Sequence, residues 1–433
     1  MKKLLFFCAA AVALAIGCSA PQPVKSDLRA PAYPLITIDP YTSAWSGADN
    51  LYDRQVMHWT EKDFPFVGVL RVDGKPYRFM GVEQDLMTPI AAMGKEQVWE
   101  ADYTLDKPAG DWTKPEYNSS KWKKGAAPFG KNYTDIKTQW DSPNIWLRRN
   151  ITLSDEDMKS ERYILRYSHD DIFKLYINGE QVIATDSTWN ENLTIEIPKE
   201  KIASWGKELT IAAHCRNTLG GALVDFGLYR TSNIEKRLTT TATQTSAEVQ
   251  ATRTIYTFNC GGVDLKLTFM APLLLDNLDL VSRPVNYLTY EVVANDGAEH
   301  DVEIYFEAGP NWARNANSQK NISETLSNDR FAFAKTGTVE QPVLQKFGDD
   351  VRIDWGYFYL AGDKSKYTTA AGDPYAIRNE FINNGSVSSN NGEYLAISTV
   401  IGKVGKKAVS DYIMVGYDDI YSILYYKEKI RPY

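Results

Sequence analysis

The sequence predicts a mainly β protein of two parts, a β-sandwich host interrupted by an inserted second β-sandwich. Three observations support this fold class. The chain has 433 residues, which is too long for one ordinary core because domains usually hold about 100 to 200 residues. Its 26 Tyr and 11 Trp favour strands. Apolar and polar side chains alternate along most of the chain, whereas the 3.6-residue spacing of helices is scarce.

The N-terminus is typical of an export signal. Lys2 and Lys3 precede an uncharged run that ends at Gly17, too short for the roughly 20 apolar residues that span a bilayer. We predict a signal peptide at 1–17 and a flexible linker at 18–30. The residues AIGCS (15–19) resemble a bacterial lipobox, which implies a lipid on Cys18. Cleavage nearby without a lipid, giving a soluble secreted product, is the alternative.

Either outcome places the mature chain outside the cytoplasm. We expect it at a bacterial membrane, in the periplasm or at the cell surface, with membrane contact only through the lipid anchor. Removal of 1–17 takes away two lysines and no acid, which moves the formal net charge from −7 to −9. A chain this acidic, with no basic run, lacks the electrostatic pattern of nucleic-acid binding.

The host sandwich is predicted over 31–98 and 231–415. Its first strands are YPLITID (33–39) and FVGVLRVDGKPYRFMG (66–81), with Asp73-Gly74 as the turn inside the second stretch. Three later stretches carry the same alternation: hairpins over 252–272 and 285–310, and a strand over 349–362.

The two predicted hairpins rest on turn residues and on alternation. In the first, Gly261-Gly262 forms the turn, and Val263, Leu265, Leu267 and Phe269 share one face of the strand that follows. In the second, Asp296-Gly297 supplies the positive φ angles of a tight turn.

A segment of different character, 99–230, is predicted to be the inserted domain. It is rich in Trp and Lys, and it opens with a long loop punctuated by Gly, Pro and Asn. The spacing of its strands suggests a sandwich. These strands are predicted at 144–153, 162–171, 172–179, 192–197 and 208–215, with Asn178-Gly179 as a two-residue turn.

The C-terminal segment 416–433 is predicted to be a helix. Asp418 or Asp419 would cap its N-terminus, and lysines and an arginine lie near its end, where the helix dipole favours cations. An apolar stripe is formed by Ile420, Ile423 and Leu424. We expect this helix to lead into a further domain that the sequence does not contain.

No cofactor and no metal site are predicted. The four histidines (His58, His169, His214 and His300) lack the spacing of zinc ligands. The sequence has no nucleophile elbow and no glycine-rich phosphate loop. Cys215 and Cys260 are expected to be separately buried thiols, and a disulfide between them is the less favoured alternative.

Two clusters of polar residues are candidate sites. An irregular loop mixes an aromatic face with short polar groups, which suits a small polar ligand or the edge of an interdomain cleft, and Asp418 and Asp419 are assigned to the same site. The loop residues are Trp45, Asp49, Asn50 and Asp53. Packing against a further domain and helix capping are the structural alternatives.

The second candidate is the adjacent pair Asp170 and Asp171, placed just ahead of a strand. Neighbouring residues on a strand point to opposite faces, so the pair is not expected to flank one bond as an acid and base. Local hydrogen bonding is the favoured role, and contact with a ligand is the alternative. Trp112, Trp122, Trp140 and Trp189 of the insert offer another route to sugar binding if they are exposed, and a place in the core is the structural alternative.

The insert resembles a known domain. PFG (128–130), WLRR (146–149), HDD (169–171) and YINGEQV (176–182) together resemble the galactose-binding-like jelly roll, the sugar-binding domain of β-galactosidases and β-glucuronidases. The resemblance covers about 99–230 and implies a jelly-roll β-sandwich. It also implies a carbohydrate-binding accessory module of a glycan-degrading system as an alternative function.

The host resembles the glutaminase A family. The resemblance lies in 29–81, 252–292, 348–361 and 415–433, on both sides of the insert and in order. It implies an extracytoplasmic hydrolase of L-glutamine to L-glutamate and ammonia, with an N-terminal β region and a C-terminal helical domain. Because the reactive centre is expected in or against that helical domain, the catalytic residues are unknown here. The implied partners are the helical domain and glutamine or a glycan.

Overall fold

The computed structural model describes residues 29–83, 87–133, 135–231, 236–317, 319–346, 348 and 351–432, without the side chain of Asn192. The predicted signal peptide, Cys18 and most of the linker lie outside these residues. The chain divides into two compact units. As far as they are described, the first comprises Met1–Gly81, Thr240–Ala313 and Ile322–Tyr433, and the second comprises Val82–Thr239 and Arg314–Asn321.

The predicted mainly β fold class is confirmed, since strands dominate both units. The first unit begins with β1 (Tyr33–Thr37), β2 (Ser43–Ser46), β3 (Met57–His58), β4 (Phe66–Val72) and β5 (Lys75–Met80). After the second unit it continues with β17 (Thr243–Gln250), β18 (Arg253–Cys260), β19 (Val263–Met270), β20 (Val285–Ala294), β21 (His300–Ala308), β22 (Asn321–Ser327), β23 (Phe331–Thr338), β24 (Tyr357–Asp363), β25 (Tyr367–Gly372), β26 (Tyr394–Val404), β27 (Val409–Asp418), β28 (Ile423–Tyr425) and β29 (Glu428–Ile430).

The second unit holds a further set of strands: β6 (Met87–Ala91), β7 (Glu100–Thr104), β8 (Lys123–Ala126), β9 (Phe129–Lys131), β10 (Thr138–Gln139), β11 (Asn144–Thr152), β12 (Tyr163–Ile177), β13 (Glu180–Ala184), β14 (Thr188–Ile197), β15 (Glu208–Arg216) and β16 (Ala222–Thr231). Helices are few among the described residues: α1 (Lys199–Trp205), α2 (Leu278–Val281), α3 (Pro374–Asn384) and two 3₁₀ turns (Asp157–Lys159 and Pro310–Ala313). In the described part of the chain, we find no helix with the length and apolarity needed to span a membrane.

Two large sheets enclose the core of the first unit. One has eight strands in the order β17-β18-β19-β20-β27-β24-β23-β22, and the other has five in the order β25-β26-β21-β4-β5. The predicted alternation of β19 is confirmed: Val263, Leu265, Leu267 and Phe269 are buried in this core. Since such burial removes apolar surface from water at about 25 cal/mol per Å², these strand faces are the main source of its stability.

The turn predictions have mixed outcomes. Asp73-Gly74 joins β4 to β5, and Gly261-Gly262 joins β18 to β19, so both hairpins are confirmed. The hairpin predicted at Asp296-Gly297 is wrong, because β20 belongs to the eight-stranded sheet and β21 to the five-stranded sheet. The strand predicted over 349–362 begins later, at Tyr357, and 349–350 lie outside the described residues.

The C-terminal helix predicted over 416–433 is wrong. Asp418 is the last residue of β27, whose inward-facing Ile413, Val415 and Tyr417 continue the period-two pattern. The next residues form the β28–β29 hairpin. Its turn places Tyr426 and Lys427 at positive φ, and aromatic residues favour strands over helices.

The long strand β12 organises the second unit. Its first half, from Tyr163 to Asp171, pairs with β14 and β16, and its second half, from Ile172 to Ile177, pairs with β13 and β15. The prediction of two separate strands at 162–171 and 172–179 is therefore wrong, whereas the turn at Asn178-Gly179 is confirmed. The other three strands that the alternation predicted in the insert are present as β11, β14 and β15.

Candidate functional site

Four of the predicted site residues lie in or just after β2. Trp45 is on the strand, and its indole N–H donates to a neighbouring side chain of the same strand (2.9 Å). Asp49 pairs with Arg29, and the Asn50 amide donates to the Asp53 carboxylate (2.9 Å). Apart from the Arg29 pair, these bonds connect residues two or three positions apart, which is typical of turn bonding.

Asp418 and Asp419 stabilise a turn instead of capping a helix. Asp418 accepts the backbone N–H of Ile420 (2.9 Å), and Asp419 accepts the Ser422 hydroxyl. Burial raises the pKa of Asp419. Burial also raises the pKa of Asp39, with a further contribution from the charge of Asp419. Among the described residues, no hydrogen bond or ion pair joins Asp418 or Asp419 to the loop at 45–53.

Asp170 and Asp171 lie inside β12 rather than ahead of a strand. The two carboxyl groups influence each other's pKa, so they lie near each other. The pairing of β12 with β14 shifts register between Tyr167 and His169, so the regular pleat is not kept at this point. The peptide bond between the two aspartates is cis.

The two carboxyl groups differ in their ease of ionisation. Burial raises the pKa of Asp170, and the neighbouring Asp171 charge adds to this effect. Burial acts in the same direction on Asp171, but hydrogen bonds from Thr218 outweigh it and lower the pKa. The Thr218 backbone N–H and hydroxyl both reach Asp171 Oδ2, at 2.6 and 2.5 Å. As the pH falls, Asp170 therefore takes up a proton before Asp171 does.

A chain of polar contacts leads from this pair to an exposed indole. The Tyr133 hydroxyl donates to Asp170 Oδ2 (3.0 Å). The Trp189 side chain lies beside the Tyr133 hydroxyl, and its indole N–H acts to lower the pKa of Tyr133. Burial and the bond to Asp170 raise the pKa of Tyr133. Trp189 is 58% exposed, so the chain ends in an aromatic surface open to solvent.

The residues around this chain hold it in place. Gly221 has no room for a side chain, since a Cβ there would lie 2.8 Å from the Tyr133 ring. His169 is fully buried, and its Nδ1 lies 2.7 Å from the backbone oxygen of Asp171. The Cys215 thiol donates to the backbone oxygen of Asp170 (3.3 Å). We call Tyr133, Asp170, Asp171, Trp189 and Thr218 the carboxyl–indole cluster.

The geometry of the carboxyl–indole cluster suits binding rather than glycoside hydrolysis. Glycosidases hold their two carboxyl groups about 5 to 9.5 Å apart on either side of the sugar, whereas Asp170 and Asp171 are chain neighbours whose carboxyl groups influence each other directly. An exposed indole above hydrogen-bonding groups is an arrangement that offers both stacking and polar contacts.

The remaining candidate groups show no reactive setting. Cys215 and Cys260 are both free and buried. Burial raises the pKa of Cys260 to about 12 and that of Cys215 still further, so neither thiol is poised as a thiolate nucleophile. Within the described ranges, no group of three or more His, Cys, Asp or Glu side chains could hold a metal ion.

The sequence identified the aspartates of the cluster but not Tyr133, and it named Trp189 only among several Trp residues. Tyr133 is 37 positions from Asp170, and Trp189 faces Asp170 only because β14 pairs antiparallel with β12. The alternation over 192–197 predicted part of β14. Because the strand begins at Thr188, a prediction that extended the alternation to that residue would have placed Trp189 on the strand.

Fold and site together define a mainly β protein of two units with a polar cluster beneath an exposed indole. Two family models match the chain, both described as domains of unknown function: DUF4964 over residues 6–92 and DUF5127 over residues 252–433. Glutaminase A from Aspergillus oryzae is 30% identical over 167 residues, 37% of this chain. That match spans 24% of the length of the relative.

Among solved structures, β-glucuronidases share a partial likeness. The Ruminococcus gnavus enzyme in complex with uronic isofagomine is 11% identical with a TM-score of 0.28, over 50% of this chain and 43% of that chain. Bacteroides uniformis β-glucuronidase 2 is 14% identical with a TM-score of 0.29, over 52% of this chain and 32% of that chain. Likeness at this level does not establish a shared fold.

Proposed function

We propose that this chain is the non-catalytic β portion of a glutaminase A-like hydrolase, whose activity in the complete protein is the conversion of L-glutamine to L-glutamate and ammonia. The observation that carries the proposal is the 30% identity to glutaminase A over 167 residues. The first unit would then act as a scaffold for a helical catalytic domain, its partner, and glutamine would be bound by the two together.

The test is ammonia release from L-glutamine. We expect none from the purified 433-residue chain, and we expect release from a protein in which the chain is joined to the helical domain of a glutaminase A relative. Ammonia release by the 433-residue chain alone would contradict the non-catalytic role. Absence of release from a folded, joined protein would contradict the glutaminase assignment itself.

A second candidate function, glycan binding by the second unit, is favoured by the carboxyl–indole cluster. An exposed indole stacks on the apolar face of a sugar ring, and hydroxyl and carboxyl groups beside it bind sugar hydroxyls. Trp189 supplies the ring, and Tyr133 with the two aspartates supplies the polar groups. In this role the chain would capture saccharides for a glycan-degrading system.

A panel of mono- and oligosaccharides tests this candidate. We expect a saturable thermal shift for the wild-type chain and for Trp189→Phe, and loss of the shift in Trp189→Ala. Trp59→Ala is the matched control, since Trp59 is similarly exposed but lies in the first unit. An unchanged shift in Trp189→Ala would contradict the assignment of the cluster.

We also propose that the mature chain is an extracytoplasmic lipoprotein anchored through Cys18. The lipobox-like residues 15–19 support this localisation. In a bacterial host, the wild-type chain is expected in the membrane fraction and Cys18→Ser in the soluble extracytoplasmic fraction. Equal recovery of both in the soluble fraction would contradict the anchor.

A further inference from the structure

A cavity of about 340 Å³ lies in the first unit, beside β1. Its walls come from β1, from the β17–β18 turn at 250–254, and from the segment 269–286. This volume lies in the range of small-molecule sites, about 300 to 1,000 Å³. The described lining residues include no Asp or Glu, so the charged side chains of the wall are arginines alone.

Two arginines line this cavity. Arg253 is the first residue of β18, and Arg283 follows α2. Within the described part of the chain, neither guanidinium takes part in a hydrogen bond or an ion pair. Several other arginines form ion pairs, as Arg71 does with Glu303 at 3.0 Å. The side chains of Arg253 and Arg283 are exposed at the cavity, and without acids beside them they give it a positive potential.

A buried amide adds a third donor. Asn286 is 3% exposed and lines the cavity. Its amide oxygen accepts the backbone N–H of Thr37 (2.9 Å), which fixes the orientation of the side chain. The amide nitrogen, at the other end, has no partner among the described residues. Because buried polar groups are normally hydrogen-bonded, this nitrogen is a donor available to a ligand in the cavity.

The rest of the wall is largely apolar. Ile38 and Val281 line the cavity with half-buried side chains, and Leu273 lies at the edge with its side chain exposed. An inorganic anion alone would leave this apolar surface uncovered. A ligand with an anionic end and an apolar body would cover both parts of the wall.

We propose that this cavity binds a small carboxylate with an apolar body. The planar carboxylate would lie between the guanidiniums of Arg253 and Arg283, which form charge-assisted hydrogen bonds in the geometry that suits arginine. The Asn286 amide would donate to the same carboxylate, and Val281 and Leu273 would contact the body. This site is separate from the carboxyl–indole cluster, and it does not depend on the proposed glutaminase role.

Isothermal titration of the 433-residue chain with N-acetyl-L-leucine tests the proposal, with N-acetyl-L-leucinamide as a neutral probe of the same body. We expect saturable binding of the acid and none of the amide. Arg253→Gln and Arg283→Gln should each weaken binding about ten- to hundredfold, the effect of losing a charge-assisted hydrogen bond. Asn286→Asp should weaken it at least as much, because it replaces the donor with a negative charge while retaining the acceptor for Thr37.

Arg330→Gln is the matched control, since it removes one positive charge of the first unit away from the cavity, and it should bind as the wild type does. Thermal unfolding of every variant checks that the first unit is folded. The proposal is overturned if the acid gives no saturable heat up to about 10 mM, if the amide binds equally, or if the folded arginine variants bind as the wild type does. If inorganic phosphate bound as tightly as the acid, the role of the apolar body would be overturned. If only an acidic peptide bound, the surface would be assigned to a protein partner.

Discussion

Each unit buries a carboxylate on a central strand, but the two carboxylates are neutralised in different ways. In the first unit, Glu307 on β21 accepts two hydrogen bonds from Arg378 of α3, at 2.7 and 2.5 Å. In the second, Asp225 on β16 accepts backbone N–H groups of 94 and 95, at 2.7 and 3.1 Å. A guanidinium carries a full charge, whereas amides carry partial charges. Burial raises the pKa of Asp225 to about 6, against the opposing effect of the two amides and of the Lys95 and Arg149 charges.

The largest expected effect is in the first unit. Arg378→Ala leaves the Glu307 carboxylate, which is almost fully buried, without its cation. We expect the free energy of unfolding to fall by about 3 to 5 kcal/mol. Urea denaturation measures this change, and it should be smaller in the double variant Glu307→Met/Arg378→Met, in which no charge remains buried.

Lys403→Ala provides the control for that comparison. It breaks the exposed ion pair with Asp301, and such pairs contribute under about 1 kcal/mol. If Arg378→Ala were no more destabilising than Lys403→Ala, the buried pair would not stabilise the first unit as described.

The second prediction concerns Asp225 and pH. Its folded pKa of about 6 lies above the ordinary value of 3.8, so the folded state binds the proton more tightly than the unfolded state does. The contribution of Asp225 to the stability of the second unit should therefore be largest below about pH 4 and should fall by up to about 3 kcal/mol as the pH rises to about 6. Hydrogen exchange of β16 amides at several pH values measures this slope.

Asp225→Asn should remove the slope, although it also lowers stability because its amide opposes one backbone N–H. Asp186→Asn, an exposed carboxylate of the same unit, should leave the slope unchanged. Equal slopes in the wild type and in Asp225→Asn would show that Asp225 does not titrate as proposed.

The smallest expected effect belongs to His300 in the first unit. The carboxylates of Asp73 (2.6 Å) and Asp296 (3.0 Å) contact its two ring nitrogens and raise its pKa. The stabilisation is therefore complete below the ordinary histidine pKa of about 6.5 and is lost as the pH rises through the raised value. Because both carboxylates are exposed, we expect less than about 1 kcal/mol.

His300→Gln should remove the loss of stability that β21 amides show as the pH rises above about 6.5, while leaving the Asp225 slope at lower pH intact. The two units would then lose stability in separate pH ranges. A single slope shared by both units, abolished by either variant, would contradict their separate titration.

Local patterns predicted what depends on near neighbours. Alternation identified the buried face of β19, and Asp73-Gly74 identified the β4–β5 turn, because side-chain period and turn chemistry act over a few residues. The same chemistry failed at Asp296-Gly297, where the chain passes from one sheet to the other. Turn residues report how the backbone bends, but they do not specify which sheet the next strand joins.

The candidate site was predicted only in part for the same reason. Asp170 and Asp171 stand together in the sequence, but the contacts that define their chemistry come from Tyr133, Thr218 and Trp189. These residues meet the aspartates because β12 lies between β14 and β16, a pairing with no local signature. The predicted helix at 416–433 failed because its apolar spacing also fits a short hairpin with a left-handed turn.

The continuity of β12 has a mechanical consequence for the second unit. One half of β12 is paired with β14 and β16, and the other half is paired with β13 and β15. If one of these two pairs of strands detached from β12, an edge of the other pair would be exposed as well. This unit should therefore melt in an all-or-none manner, with its amides on both halves of β12 exchanging at one common rate. A protease is then expected to degrade it completely once it opens, without leaving a stable fragment.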